Sequence, residues 1–197
     1  MLPCYVLLDI ETTGGNALIS RITEIAAVRF EQGVEVARWS KLVNPDCSIS
    51  YFIQKLTGIS DQLVEGAPSF KQVADELLGL LDGAVLVAHN ARFDHGFLVH
   101  EFARIGVELK IETLCTVRLS RKLYPLAKGH GLDAIMQRHG LTTVARHRAM
   151  GDVDLMIGFL RSETPIPLRI GNGVTLRGCA CVGTQDAATS GYTGRLC

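Results

Sequence analysis

The chain has 197 residues, with 20 Lys+Arg against 20 Asp+Glu, and 47% of it is hydrophobic. That length suits one domain with an appendage and can bury a full core, and the hydrophobic fraction excludes wholesale disorder. A net charge of zero excludes a protein that coats nucleic acid by bulk electrostatics, but not a nuclease whose acidic site offsets a local basic surface.

No apolar run reaches the roughly 18 residues that a membrane helix needs. The N-terminus, MLPCYVLLDIETTGG, has no basic n-region, and its apolar stretch ends in acids. The expectation is therefore no secretory signal, no membrane partner and a cytoplasmic location. Six cysteines are scattered along the chain at Cys4, Cys47, Cys115, Cys179, Cys181 and Cys197. Cys179 and Cys181 form a CxC with no second pair and no nearby His, which is poor zinc-ligand spacing. Free thiols in a reducing compartment fit this usage.

In chain order, YVLLDI reads as a strand buried on both faces, and TTGGN as a turn after it. Residues 22–30 (ITEIAAVRF) and 34–43 (VEVARWSKLV) read as two more strands joined by EQG, which predicts an antiparallel hairpin. FIQKLTGISDQLVEG reads as two short helical pieces broken at TG. Residues 69–81 carry Phe70, Val73, Leu77 and Leu80 on one helical stripe, with Ser69 as N-cap. AVLVAHN (84–90) is a short buried strand. Residues 91–106 form a helix stopped by Gly106, with Asn90 as its cap. A fifth strand is expected near 109–113, then helices over 115–123, 131–139 and from about Ala149 to Arg161. Beyond Ser162 the sequence is rich in glycine with no sustained period, and it reads as a linker or tail. The order of elements is that of an α/β protein with a mixed sheet. The predicted organisation is a domain over 1–161 and a tail over 162–197.

The chemistry begins at the end of the first strand. Asp9 and Glu11 are two residues apart, so both side chains leave on one face of an apolar strand. Buried anions without partners cost several kcal/mol each, and like charges add to that cost. A divalent cation with oxygen ligands would compensate them; so would a solvated strand end or a distant basic partner, though no Lys or Arg lies close in sequence. Asp94 sits early in its helix with Phe97 and Leu98 at i+3 and i+4, on the inward stripe. The helix dipole explains an acid in the first turns but not its inward position. Asp152 repeats the pattern, with Leu155, Met156 and Phe159 on its side of the last helix. Asp154 falls off that stripe and is expected to be solvated or paired with an Arg. His147 lies five residues before Asp152; it is a lone surface imidazole or a base tied to the inward acid. Four carboxylates on three elements, with one His, would converge if the first strand packs between the two helices. Such a site could hold two Mg²⁺ or Mn²⁺ ions for phosphodiester displacement, with an imidazole to take the proton of the attacking water.

DIETTG (9–14), HNARFDHGFL (89–98) and HRAMGD (147–152) together resemble the three exonuclease motifs of the DnaQ-like, DEDDh class of 3′–5′ exonucleases. The five lettered positions match Asp9, Glu11, Asp94, His147 and Asp152. The H-x4-D spacing matches the His-type subclass. LTGISDQLVEGAPSF (56–70) is also similar to the family, most closely to proofreading epsilon subunits of bacterial DNA polymerase III and their stand-alone homologues. The resemblance covers about residues 4–161.

It implies a ribonuclease H-like fold: an antiparallel three-stranded meander plus parallel strands, flanked by helices. It implies stepwise hydrolysis of single-stranded DNA 3′ ends to nucleoside 5′-monophosphates with two divalent metals, Mg²⁺ or Mn²⁺, in proofreading or repair. Asp9 would bridge both metals, Glu11, Asp94 and Asp152 would complete the ligand set, and His147 would be the general base. Thr12 and Thr13 would meet the terminal nucleotide. Thr57, Ile59 and Phe93 would line its base and sugar pocket; some members have His where Thr57 stands. Two alternatives remain at this point: an exoribonuclease trimming RNA ends, and a non-catalytic subunit docked on a DNA polymerase catalytic subunit. Between Arg118 and Arg148 seven Lys/Arg stand against one acid, Asp133. That run fits a short single-strand track or a solvated helix face.

Overall fold

The computed structural model describes residues 4–143, 145–163, 168–170 and 174–176. Strand β1 (Tyr5–Thr12) pairs antiparallel with β2 (Ile22–Glu31), and β2 pairs antiparallel with β3 (Val34–Leu42). The Gln32–Gly33 link has positive φ at both residues (53° and 84°), the geometry of a tight hairpin turn. Helices α1 (Tyr51–Thr57), α2 (Asp61–Val64) and α3 (Phe70–Leu81) follow. Next come β4 (Val85–Ala88), α4 (Arg92–Arg104), β5 (Thr113–Cys115), α5 (Thr116–Leu123), α6 (Leu132–His139) and α7 (Ala149–Ser162). β4 runs parallel to β1, and β5 parallel to β4, so the sheet order is β3-β2-β1-β4-β5. This is the mixed sheet the sequence predicts.

The first half of β1, Tyr5 to Leu8, is apolar because both its faces are covered. Val6, Leu8 and Ile10 pack with Phe70, Leu77, Phe97 and Phe102 of α3 and α4. Leu7 packs on the opposite face with Val153, Met156 and Phe159 of α7 and Ile135 of α6. The period-2 alternation of a strand therefore sends Asp9 and Glu11 to the α7 side. At the end of β1 the register slips: Glu11 lies opposite Glu24, but Thr12 lies opposite Ile22. The bulge puts the extra residue, Thr23, into β2 beside the acidic pair.

Four expectations are corrected. The fifth strand lies at 113–115 rather than 109–113. The apolar stripe of α3 extends to Leu81, which is buried, while Leu80 packs against the core only in part. Asn90 does not cap α4 with its side chain; it takes a left-handed turn (φ 66°) and its carbonyl accepts from Phe93 N at 2.8 Å. In the tail, two short strands, β6 (Leu168–Ile170) and β7 (Val174–Leu176), pair antiparallel where no element was expected. Cys179, Cys181 and Cys197 lie outside the described residues. None of the described helices is long and apolar enough to cross a membrane.

Candidate active site

Asp9, Glu11 and Asp152 each turn one carboxylate oxygen into a group whose members lie within 4.8 Å of one another. The sheet places the first two on one face, and α7 lays Asp152 across it. Asp94 reaches the cluster from the first turn of α4, at the end of β4 next to β1. It is 2% exposed, and its carboxylate accepts backbone N–H groups from Ile10 and from itself.

Crowding and burial hold these acids protonated well above their ordinary range. Desolvation pushes Asp94 up to about 8, against those two backbone donors. Glu11 rises to about 7, mainly by desolvation, then by the charges of Asp152 and Glu24. Asp9 is raised far above the usual carboxylate range by burial and then by Asp94, Asp152 and Glu11 together. Asp152 is raised by burial too, against the pull of Arg146. One of its oxygens, Oδ1, is buried and meets no hydrogen-bond partner.

The donor set fits a divalent cation. It is all carboxylate oxygen from β1 and α7, with Asp94 of α4 acting on it electrostatically, and it includes an orphaned buried oxygen. One feature departs from the expected picture: a basic side chain does reach the cluster. Arg146 Nη1 donates to Asp152 Oδ2 at 2.5 Å, and its Nε donates to Asp133 Oδ1 at 2.8 Å. Asp9, Glu11 and Asp94 have no such ion pair among the described residues.

His147 lies between two anchored arginines. It is half-buried, takes a left-handed φ of 59°, and makes no hydrogen bond among the described residues. Its charge would lower the pKa of Asp152, so the imidazole is within electrostatic reach of the cluster. A left-handed conformation costs a non-glycine residue about 1–2 kcal/mol. The flanking contacts hold it there: Arg146 on Asp152 and Asp133, and Arg148 on Glu24 through Nη2 at 2.7 Å and Nε at 3.1 Å.

Of the expected nucleotide contacts, Thr12 and Thr13 continue from β1. Thr12 Oγ1 donates to Gly14 O at 2.8 Å, while Thr13 exchanges two hydrogen bonds with the Arg21 backbone. Phe93 is half-buried, its ring 4.9 Å from that of Phe97. Thr57 and Ile59 are set apart in a small core with Ile49 and Val64. Thr57 Oγ1 donates to Ile53 O and accepts from Ile59 N, and Ile59 is fully buried, so both side chains face the protein.

Several residues that shape the site were not read from the sequence. Glu24, 4% exposed, lies opposite Glu11 and caps α7 by accepting from Ala149 N at 2.9 Å. Its place in an apolar β2 run was the signal. Glu101, 1% exposed on α4, binds Arg21 through two bonds and thereby ties down the loop after β1. His89, in the same motif as Asp94, accepts or donates at Thr116 Oγ1 (2.9 Å), and burial lowers its pKa to about 4. It is therefore neutral near pH 7.

A family model described as Exonuclease (RNase_T) matches residues 6–159. The chain is 42% identical over 153 residues to the 3′-5′ exonuclease DinG of Bacillus subtilis, covering 77% of this chain and 16% of that protein. It is 38% identical over 151 residues to the PolC-type DNA polymerase III of Halalkalibacterium halodurans, covering 76% of this chain and 10% of that protein. The chain thus spans a small fraction of the length of these relatives. Among solved structures, exonuclease X in complex with 5′ overhanging duplex DNA superposes with a TM-score of 0.65 at 30% identity, over 79% of this chain and 88% of that one. The chain belongs to the exonuclease family and has a mixed-sheet, ribonuclease H-like fold.

Proposed function

We propose that this chain removes nucleotides one at a time from single-stranded DNA 3′ ends, releasing nucleoside 5′-monophosphates. The observation that carries the reading is the carboxylate cluster: Asp9, Glu11 and Asp152 within 4.8 Å, with Asp94 buried beside them. Asp9, Glu11, Asp94 and Asp152 would hold two divalent cations, Mg²⁺ or Mn²⁺. Asp9 would be the central ligand in this reading, since Asp94, Asp152 and Glu11 all act on its carboxylate. When bound, the cations supply positive charge to the attacking and leaving oxygens of the phosphodiester. His147 takes the proton of the attacking water, on a loop fixed from both sides. Thr12 and Thr13 offer backbone groups to the terminal nucleotide, Phe93 its ring face, and the Thr57–Ile59 turn its backbone. Residues 1–161 form the catalytic unit in this reading, and 162–197 an appendage. A DNA polymerase catalytic subunit is the partner that the PolC-type relatives suggest.

The test is a time course with 5′-labelled single-stranded, duplex and mismatched-end DNA and a matched RNA, each with Mg²⁺ and with EDTA. A metal-dependent ladder shrinking from the 3′ end, fastest on single-stranded DNA, is expected. Faster shortening of RNA would transfer the assignment to an exoribonuclease. Absence of any shortening would leave the non-catalytic subunit.

A further inference from the structure

The cation site carries its own positive charge. Arg146 leaves the loop before His147 and spans from solvent to interior: its outer partner, Asp133, has a side chain 80% exposed, and its inner partner, Asp152, one 8% exposed. The guanidinium holds Asp152 Oδ2, while Asp152 Oδ1 is buried with no partner. One oxygen of this ligand is thus committed to an arginine and the other is left for a cation. The neighbouring arginines are engaged elsewhere, Arg148 on Glu24 and Arg38 on Asp154 and Glu35.

We propose that Arg146 is a resident counter-charge that sets how tightly the carboxylate cluster takes divalent cations, with Asp133 as its outer anchor. The inference rests on the cation-site reading given above. A guanidinium keeps its charge at all accessible pH values. Fixed on a ligand oxygen, it lies one carboxylate away from any dication bound at Oδ1. The repulsion of a dication by a unit charge at such range is worth an order of magnitude in affinity even with strong screening. Arg146 therefore weakens cation binding while holding Asp152, and with it the start of α7, in place. Its bond to Asp133 tempers the effect, because the outer carboxylate draws part of the guanidinium charge toward solvent.

The experiment is calorimetric titration of the full chain with Mn²⁺, without DNA, for the wild type and for Arg146→Gln, Arg146→Lys, Asp133→Asn and Asp9→Asn. Arg146→Gln is expected to bind Mn²⁺ at least about threefold more tightly. Arg146→Lys, which keeps the charge, is expected to stay within about twofold of wild type. Asp133→Asn is expected to bind about twofold more weakly, since the whole arginine charge then bears on Asp152. A purely structural brace would weaken binding in both Arg146→Gln and Asp133→Asn, so the opposite signs distinguish the two roles. Unchanged or weaker binding by Arg146→Gln overturns the inference. If that variant does not fold by circular dichroism, Arg146→Lys decides: it keeps the charge but not the two-ended link, so binding within about twofold of wild type supports the inference and binding outside that range overturns it. Failure of the wild type to bind Mn²⁺, or binding unaffected by Asp9→Asn, removes the cation site itself and is a different result.

Discussion

Asp9 is raised in pKa by every other acid of the cluster, so its negative charge is unfavourable unless a cation is present. Function and stability therefore pull in opposite directions at this residue. Asp9→Asn is expected to lower turnover by roughly 100-fold or more, the scale on which lost electrostatic stabilisation of a transition state is felt. In EDTA the same variant is expected to melt at a higher temperature than wild type, because it removes a carboxyl that must hold its proton in the fold but ionises freely once unfolded. A thermal melt in chelator beside a single-turnover assay checks both. His147→Ala separates differently: kcat should fall by about 10²–10⁴ with KM for DNA little changed, as for loss of a general base. A raised KM with kcat intact would make His147 a substrate contact. The acids were legible in the sequence because each breaks an apolar pattern: Asp9 and Glu11 in an apolar strand, Asp94 and Asp152 on inward helical stripes. Their counter-charges were not. Glu24 and Arg148 are 124 residues apart, and Arg146 sits in a loop with no periodicity to aim it.

At the scale of elements, the start of α7 is the part of the site most dependent on its neighbours. The helix has no side-chain cap of its own, so its first N–H is satisfied by Glu24 reaching over from β2. Glu24→Gln loses the ion pair with Arg148 while keeping one acceptor. It is expected to cost about 1–3 kcal/mol in chemical denaturation, and to lower kcat more than it raises KM, since His147 and Asp152 flank the junction. Gly151 guards the same junction from the other side. A Cβ there would overlap the Ala145 carbonyl and press on Thr143 Oγ1. Gly151→Ala should therefore displace the loop that carries Arg146 and His147, despite alanine's better helix propensity. The measurable outcome is a loss of kcat out of proportion to any change in melting temperature. Most of this framework could be read from patterns of period 2 and 3.6, including the β2–β3 hairpin and the helix over 70–81. What escaped was geometry that the alternation cannot encode: the bulge at Thr23, the left-handed turn at Asn90, and the side-chain commitments of Thr57 and Ile59.

For the whole molecule, the four crowded acids, Asp94 and Asp152 buried and Asp9 and Glu11 partly so, make stability a function of pH and of cations together. Unfolded carboxyl groups ionise near pH 4. In the folded chain Glu11 holds its proton to about 7 and Asp94 to about 8, with Asp9 and Asp152 also raised. Between pH 4 and pH 8 the folded state thus binds more protons than the unfolded state, and the contribution of these groups to stability falls as pH rises. That contribution is complete below about pH 4 and is lost as pH passes through the folded-state values. A divalent cation acts with the opposite sign, because it binds the deprotonated cluster of the folded chain and stabilises it by mass action. In EDTA the melting temperature should therefore drop from pH 5 to pH 8, and saturating Mg²⁺ or Mn²⁺ should remove most of that drop. Asp94→Asn deletes the group held near 8 and should make the EDTA profile shallower across the whole interval from pH 5 to pH 8. A set of melts at pH 5, 6.5 and 8, with and without cation, reads all of this directly. An EDTA profile that rises with pH in the wild type, or one that Asp94→Asn leaves unaltered, would show that the cluster does not carry the repulsion from which the site has been built.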